Sequence, residues 1–261
     1  MLKLETLHMT FNPGTPDARP ALRGLSLHVK PGDFIAIIGA NGAGKSTLFN
    51  AICGSFIVDS GRILLDGADV TLTPEHQRAK IIGRLFQDPK SGSAPHMSIE
   101  ENLVLAAGAG GWLSRATKKE IQFFRDRLAL LGMGLEDRMK QPMGLLSGGQ
   151  RQAVTLLMAT LSHPKLLLLD EHTAALDPGT AEKVLSLTTQ IVEEEHLTCL
   201  MITHNMQSAL DLGSRTLMMD SGRIVFDAAG PERAALTVAD LLEKFHEASG
   251  KALDNDRMLL A

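Results

Sequence analysis

The chain has 261 residues, enough for one large α/β domain or for a core with a small subdomain. A net charge of −4, no tyrosine and only 4% aromatic residues argue against a nucleic-acid or anionic-lipid surface. The two cysteines, Cys53 and Cys199, sit in apolar surroundings and read as reduced, packed residues rather than a disulfide or a metal pair.

Residues 2–10 alternate apolar and polar side chains (Leu2, Leu4, Leu7, Met9), the pattern of a half-buried strand. A turn-rich loop, Phe11–Asp17, separates it from a second strand over 25–29, and Pro31-Gly32-Asp33 turns the chain into Phe34-Ile35-Ala36-Ile37-Ile38. That uninterrupted apolar run predicts a buried strand. It feeds Gly39-Ala40-Asn41-Gly42-Ala43-Gly44-Lys45-Ser46-Thr47, after which apolar residues recur at helical spacing until Gly54 stops the helix. The loop matches G-x-x-x-x-G-K-[ST], flanked by the strand and the helix that the motif requires. Its glycines let consecutive backbone N–H groups converge on phosphate oxygens at a helix N-terminus. Lys45 adds a point charge for the β- and γ-phosphates, and the Ser46 hydroxyl is placed to ligate Mg²⁺.

Gly61–Gly67 reads as a short strand between turns, so the antiparallel pieces suggest a small β-subdomain beside a parallel core. Ile81–Phe86 is another apolar run, ending at Gln87-Asp88-Pro89, and Lys90–Pro95 is a loop. Two capping boxes, Ser98-x-x-Glu101 and Thr117-x-x-Glu120, open two helices, and from about 92 to 146 the pattern is helical without a strand signal. The nearest approach to a membrane span, Leu103–Leu113, is rich in glycine and falls short of the roughly 18 residues required. The start, Met1-Leu2-Lys3-Leu4-Glu5, lacks the succession of a signal peptide. The expectation is a protein that is soluble when isolated, stays in the cytoplasm and meets the membrane only through a partner. Past 146 the chain returns to βα alternation. It reads as a helix from Gly149 to Leu161, a strand at Leu166–Leu169, a helix over 178–195, a strand at Thr198–Thr203 and a helix over 205–212. Two strands, 215–220 and 223–227, an amphipathic helix over 237–248 and a frayed tail over 249–261 complete it.

Two stations in this half carry chemistry. Leu166-Leu167-Leu168-Leu169 ends in Asp170-Glu171, and a buried strand ending in adjacent carboxylates costs desolvation unless a cation sits opposite. In a phosphate-loop protein that cation is Mg²⁺: Asp170 would hold it, and Glu171 would act as general base for the attacking water. Leu146-Ser147-Gly148-Gly149-Gln150 places a good N-cap and two glycines at a helix start, a second anion cradle. One nucleotide needs only one cradle, so two half-sites suggest that two copies pair and share each nucleotide.

Taken together these stations resemble the ATP-binding-cassette ATPases, the nucleotide-binding subunits of ABC transporters, over about residues 2–228. Gly39–Thr47 matches the Walker A loop, Gln87 the Q-loop, Leu146–Gln150 the signature and Leu166–Asp170 with Glu171 the Walker B strand. Ala175-Leu176-Asp177 matches the D-loop, and His204 in Ile202-Thr203-His204 the switch histidine. The resemblance implies an α/β fold: a phosphate-loop NTPase core (RecA-like) with an antiparallel β-subdomain and an inserted α-helical subdomain. The implied boundaries are a core of about 1–91 and 147–228, a helical subdomain of about 92–146 and a C-terminal helical extension over 229–261.

It further implies a head-to-tail homodimer binding ATP and Mg²⁺ at its interface. Asn41, Gly42, Ala43, Gly44, Lys45, Ser46 and Thr47 of one copy would hold each nucleotide together with Ser147, Gly148, Gly149 and Gln150 of the other. Ser46, Gln87 and Asp170 would serve the metal, Gln87 and Glu171 the lytic water, and His204 the γ-phosphate; Asp177 would organise the seam and Phe11 would stack on adenine. The residue after Glu171 is commonly proline in the family, but here it is His172. With Gln87-Asp88-Pro89 and Ser91–Pro95, this is similar to a bacterial importer subgroup working with amino-acid-type permeases and solute-binding proteins. The implied function is ATP-driven solute import through a separate permease at the cytoplasmic face of the inner membrane. The ATPase of an exporter or lipid-moving complex is the alternative. A third class, the soluble cassette proteins of translation or DNA repair, usually needs two cassettes or a coiled-coil insertion, and this chain has neither. No nucleic-acid partner is expected.

Overall fold

The computed structural model describes residues 1–88, 90–108 and 116–249, with the side chains of 248 and 249 left aside. Pro89, the end of the Leu103–Leu113 stretch and the tail after Ser249 lie outside the described residues. The chain divides into two compact units, Met1–Ala79 with the part from Leu197 onward, and Lys80–His196.

In the first unit, β1 (Leu2–Phe11) buries Leu2, Leu4 and Leu7. The step of three from Leu4 to Leu7 breaks strict alternation, and a register irregularity there, with Thr6 at φ 49°, restores all three side chains to one face. β2 runs over Arg19–Val29 rather than 25–29. Its first half is polar and includes Pro20, so pairing with Thr10 and Phe11 of β1, rather than its own pattern, makes it a strand. β3 (Phe34–Ile38) is wholly buried and leads to α1 (Lys45–Cys53), which ends at Gly54 in the left-handed region, φ 79°. β4 (Ser60–Leu65) and β5 (Ala68–Asp69) complete an antiparallel sheet in the order β2-β1-β4-β5. A short helix that the sequence did not signal, α2 (Glu75–Arg78), delivers the buried guanidinium of Arg78 to the carbonyls of Ala51 and Ile52, both at 2.8 Å, closing the C-terminus of α1.

The second unit opens with β6 (Ile82–Leu85), followed by α3 (Ile99–Ala106) and α4 (Lys118–Ala129). Both helices start in complete capping boxes, at Ser98 with Glu101 and at Thr117 with Glu120. A single 3₁₀ turn, Met143–Leu145, precedes α5 (Gly148–Thr160); β7 (Leu166–Asp170) and α6 (Pro178–Glu194) follow. β6 and β7 pair in parallel, Ile82 opposite Leu166 through Leu85 opposite Leu169. α5 lies so close to β6 that a Cβ on Gly83 would stand 2.4 Å from the carbonyl oxygen of Ala159. Ile99 and Leu103 of α3, Phe124 and Leu128 of α4, and Val154 and Leu157 of α5 share one apolar core.

The chain then re-enters the first unit with β8 (Thr198–Ile202), α7 (Met206–Asp211), β9 (Arg215–Asp220), β10 (Arg223–Ala229), α8 (Gly230–Ala234) and α9 (Val238–Ser249). β3 lies between β8 and β9, parallel to both, and β10 adds an antiparallel edge. Burial pushes the Cys199 thiol well up from its ordinary range, and Cys53 and Cys199 are not joined in a disulfide. α8, also unsignalled, carries Arg233, whose Nη2 donates to the carbonyls of Ala209, Leu210 and Leu212 at 3.0, 2.6 and 2.8 Å. A cation thus closes the C-terminus of α7, where the helix dipole favours it. No helix among the described residues is long and apolar enough to cross a membrane.

Candidate nucleotide site

β3 delivers the phosphate loop to the N-terminus of α1. Gly39 stands at φ 148° with the Met219 carbonyl oxygen 2.2 Å from where a Cβ would be, and Gly44, the N-cap, at φ 99° with that of Ala21 at 2.5 Å. Neither position tolerates a side chain, so the loop's curvature is fixed by its neighbours as well as by its own flexibility. Asn41 and Gly42 are exposed, Ala43 is buried and Thr47 half-buried. Lys45 is only 5% exposed and folds back over the loop, its ammonium donating to the carbonyls of Gly39 at 2.7 Å and Ala40 at 3.1 Å. Ser46, one residue on, is exposed. The first turn of α1 holds no acidic residue, so the helix N-terminus is left for an outside anion.

In the same unit His204 follows β8, half-buried. The Thr203 N–H donates to the carbonyl of Ile37 at 3.1 Å, and Asn205 caps α7, accepting from the Ser208 N–H at 2.8 Å. The histidine therefore sits between two fixed points, one of them on the strand that feeds the phosphate loop. Phe11 closes β1, 39% exposed, and meets the ring of Phe56 edge-on at 5.8 Å, an aromatic pair of which the sequence pointed to one member.

The second unit carries the acids. Asp170 ends β7 with 8% exposure, and its Oδ2 lies 3.4 Å from Nη2 of Arg84 on β6. Glu171 follows at φ 47°, a left-handed backbone that costs a non-glycine residue about 1–2 kcal/mol. Such strain persists where surroundings enforce it. The next side chain is firmly anchored: His172 is buried against α6, Nε2 3.1 Å from the hydroxyl of Thr188. That hydroxyl donates to the Val184 carbonyl at 2.8 Å, so it accepts from His172, fixing the proton on Nε2. Burial lowers the His172 pKa to about 4, so the imidazole is neutral and its work is anchorage of the turn behind Glu171. Gln87, just past β6, is exposed.

Ser147 caps α5, accepting from the Gln150 N–H at 3.2 Å while the Gln150 side chain accepts from the Ser147 N–H. Gly148 is exposed and Gly149 buried. Asp177 caps α6 through the Thr180 N–H at 3.1 Å, and the hydrogen bonds from Thr180 hold its carboxyl below the usual range. The two caps meet at Thr180: a Cβ on Gly149 would lie 2.0 Å from its Cγ2. Gly149→Ala is therefore expected to destabilise the chain by about 1–3 kcal/mol through overpacking. The denaturant midpoint reads it, and Thr180→Ala, which removes that methyl, should restore most of the loss; no loss in Gly149→Ala would refute the contact.

These features have close counterparts. The sequence model of the ABC transporter family matches residues 22–174, well over half of the chain. The chain belongs to the ABC transporter family. This ABC ATPase is 42% identical over 252 residues to a tyrosine transport ATP-binding protein of Clostridioides difficile (strain R20291), covering 95% of this chain and all of the relative. It is 37% identical over 207 residues to the thiamine import ATP-binding protein ThiQ of Salmonella paratyphi A (strain ATCC 9150 / SARB42), covering 79% of this chain and 84% of the relative. Among solved structures, the ADP conformation of the ATP-binding cassette MJ1267 superposes with a TM-score of 0.77 at 26% identity, covering 94% of this chain and 98% of that one. The dimeric cassette MJ0796 bound to ADP and phosphate gives 0.74 at 26% identity, covering 88% and 98%. The fold is that of the cassettes, a phosphate-loop NTPase, and the activity of the family is ATP hydrolysis that powers transport.

Proposed function

We propose that this ATPase energises the import of a small solute, of amino-acid type, through a separate permease. The observation that carries this is the end-to-end similarity to the tyrosine transport relative, 42% over 95% of the chain. On this reading two copies pair head to tail, and each ATP is held by residues 41–47 of one copy and Ser147–Gln150 of the other. Lys45, already oriented by Gly39 and Ala40, binds the phosphates. His204 contacts the γ-phosphate, Asp177 organises the seam and Phe11 stacks on adenine. Glu171 takes the proton of the attacking water, which Gln87 helps to place. The oxygen donors of Ser46, Asp170 and Gln87 suit magnesium, which keeps phosphate and water ligands of its own. When bound, that ion neutralises charge at the phosphate oxygens.

We also propose that residues 92–146 act as a helical subdomain, 229–261 as an extension, and that the loop after Gln87 receives a cytoplasmic helix of the permease at the membrane surface. Its internal bonding supports this. Buried Asn102 accepts from the Ala94 N–H at 2.8 Å and donates to the carbonyls of Ala94 and Ser98 at 3.0 and 2.9 Å. The Met97 and Pro95 carbonyls accept from the N–H groups of Met143 and Gly144, both at 2.8 Å, just ahead of the Ser147 cap. A push on the loop therefore reaches the second anion cradle through main-chain bonds. Bulky or charge-introducing substitutions within Ser91–Met97 should leave basal ATPase nearly intact while abolishing permease-stimulated ATPase and solute uptake in reconstituted vesicles. Normal uptake by such variants would refute the coupling role, and efflux rather than uptake would refute import.

A further inference from the structure

Arg84 is the one charged residue within the apolar run Ile81–Phe86, and it belongs to none of the motifs discussed above. β6 places it opposite Leu168, two residues before Asp170. Its guanidinium forms a single, long contact with Asp170 Oδ2, 3.4 Å, with both side chains only 12–13% exposed. The guanidinium carbon stands 4.6 Å from the centre of the Phe86 ring, next in sequence to Gln87. Its Nε is buried without a hydrogen-bond partner. This is not the bidentate fork that guanidinium and carboxylate make when a pair is built to last.

We infer that Arg84 is a counter-cation of Asp170 whenever no metal is bound, and that it thereby raises the Mg²⁺ concentration the site needs. The inference rests on the nucleotide-site reading proposed above. A poorly solvated carboxylate is costly without a positive neighbour, and Arg84 lowers that cost in the metal-free chain. A divalent cation arriving at the same carboxylate meets a guanidinium already beside it, and like charges at this separation repel. Whatever stabilises the metal-free state weakens apparent metal binding by the same amount. A positioning residue that merely aimed Asp170 would have the opposite effect, since its removal would raise the Mg²⁺ requirement.

The test uses the full chain with a saturating non-hydrolysable ATP analogue, titrated with Mg²⁺ and followed by its thermal unfolding midpoint. In Arg84→Met the metal-free midpoint should fall, and half-saturation should move to Mg²⁺ concentrations about three- to fivefold lower, the scale of a partly screened ion pair. Arg84→Gln gives the same reading should Arg84→Met fail to fold, and Arg84→Lys, which keeps the charge, should stay near the wild type. An unchanged or higher Mg²⁺ requirement in the neutral variants, against a clear Mg²⁺ response in the wild type, overturns the role of Arg84 alone. No Mg²⁺-dependent shift in the wild type overturns the nucleotide-site reading and this inference with it.

Discussion

Glu171→Gln is expected to bind ATP yet turn it over at least about 10²-fold more slowly than the wild type. The substitution keeps the shape of the side chain and removes its capacity to accept a proton from water. The left-handed turn at Glu171 should persist, because the buried His172 anchors the residue that follows it. Turnover blocked after binding should accumulate the shared state, so the variant should elute as a dimer with ATP and as a monomer without it. A variant that hydrolyses normally would remove Glu171 from the base role, and one that stays monomeric at saturating ATP would contradict nucleotide sharing.

Lys45→Ala should abolish ATPase activity, a loss of several kcal/mol in phosphate binding or transition-state stabilisation. Two effects combine in it: the phosphates lose their cationic partner, and the loop loses the ammonium that bridges the Gly39 and Ala40 carbonyls. Mixing this variant with Ser147→Arg, which obstructs the second cradle, tests the shared arrangement directly. In a head-to-tail heterodimer one site carries both lesions and the other carries neither. Activity above that of either variant alone is the expected result; none, with heterodimers demonstrated, would mean that each chain works by itself.

The contiguous features were legible in the sequence because each is a local device. A glycine-rich turn between an apolar strand and a helix, a capping serine with glutamine three residues on, and an apolar strand ending in two acids name their own chemistry. Most strands and helices followed from period and punctuation in the same way. Contacts between elements were not legible. Nothing local says that Arg84 faces Asp170, because that depends on the register of β6 with β7. The second reason for a glycine at 149, the methyl of Thr180, appears only when α5 and α6 are laid together. In the sequence His172 marks only a departure from the family's proline and a likeness to a subgroup, since a histidine in a polar turn gives no sign that it will be buried. The first half of β2 and the short helices α2 and α8 were missed for a related cause, each being organised by what it touches rather than by its own pattern.

The arginine of α8 bears on how such a protein changes over generations. Arg233 answers three carbonyl groups at the end of α7, the helix that begins two residues after His204. The region past β10 lies beyond residue 174, where the match to the family model ends. It is not modular. A recombination that replaced the chain after Ala229 would take the Arg233 donor from the carbonyls of Leu210 and Leu212 and leave that of Ala209 to the Thr216 hydroxyl alone, so an incoming segment would fit best if it brought its own cation to the same spot. Arg233 and the end of α7 therefore constrain each other's sequence.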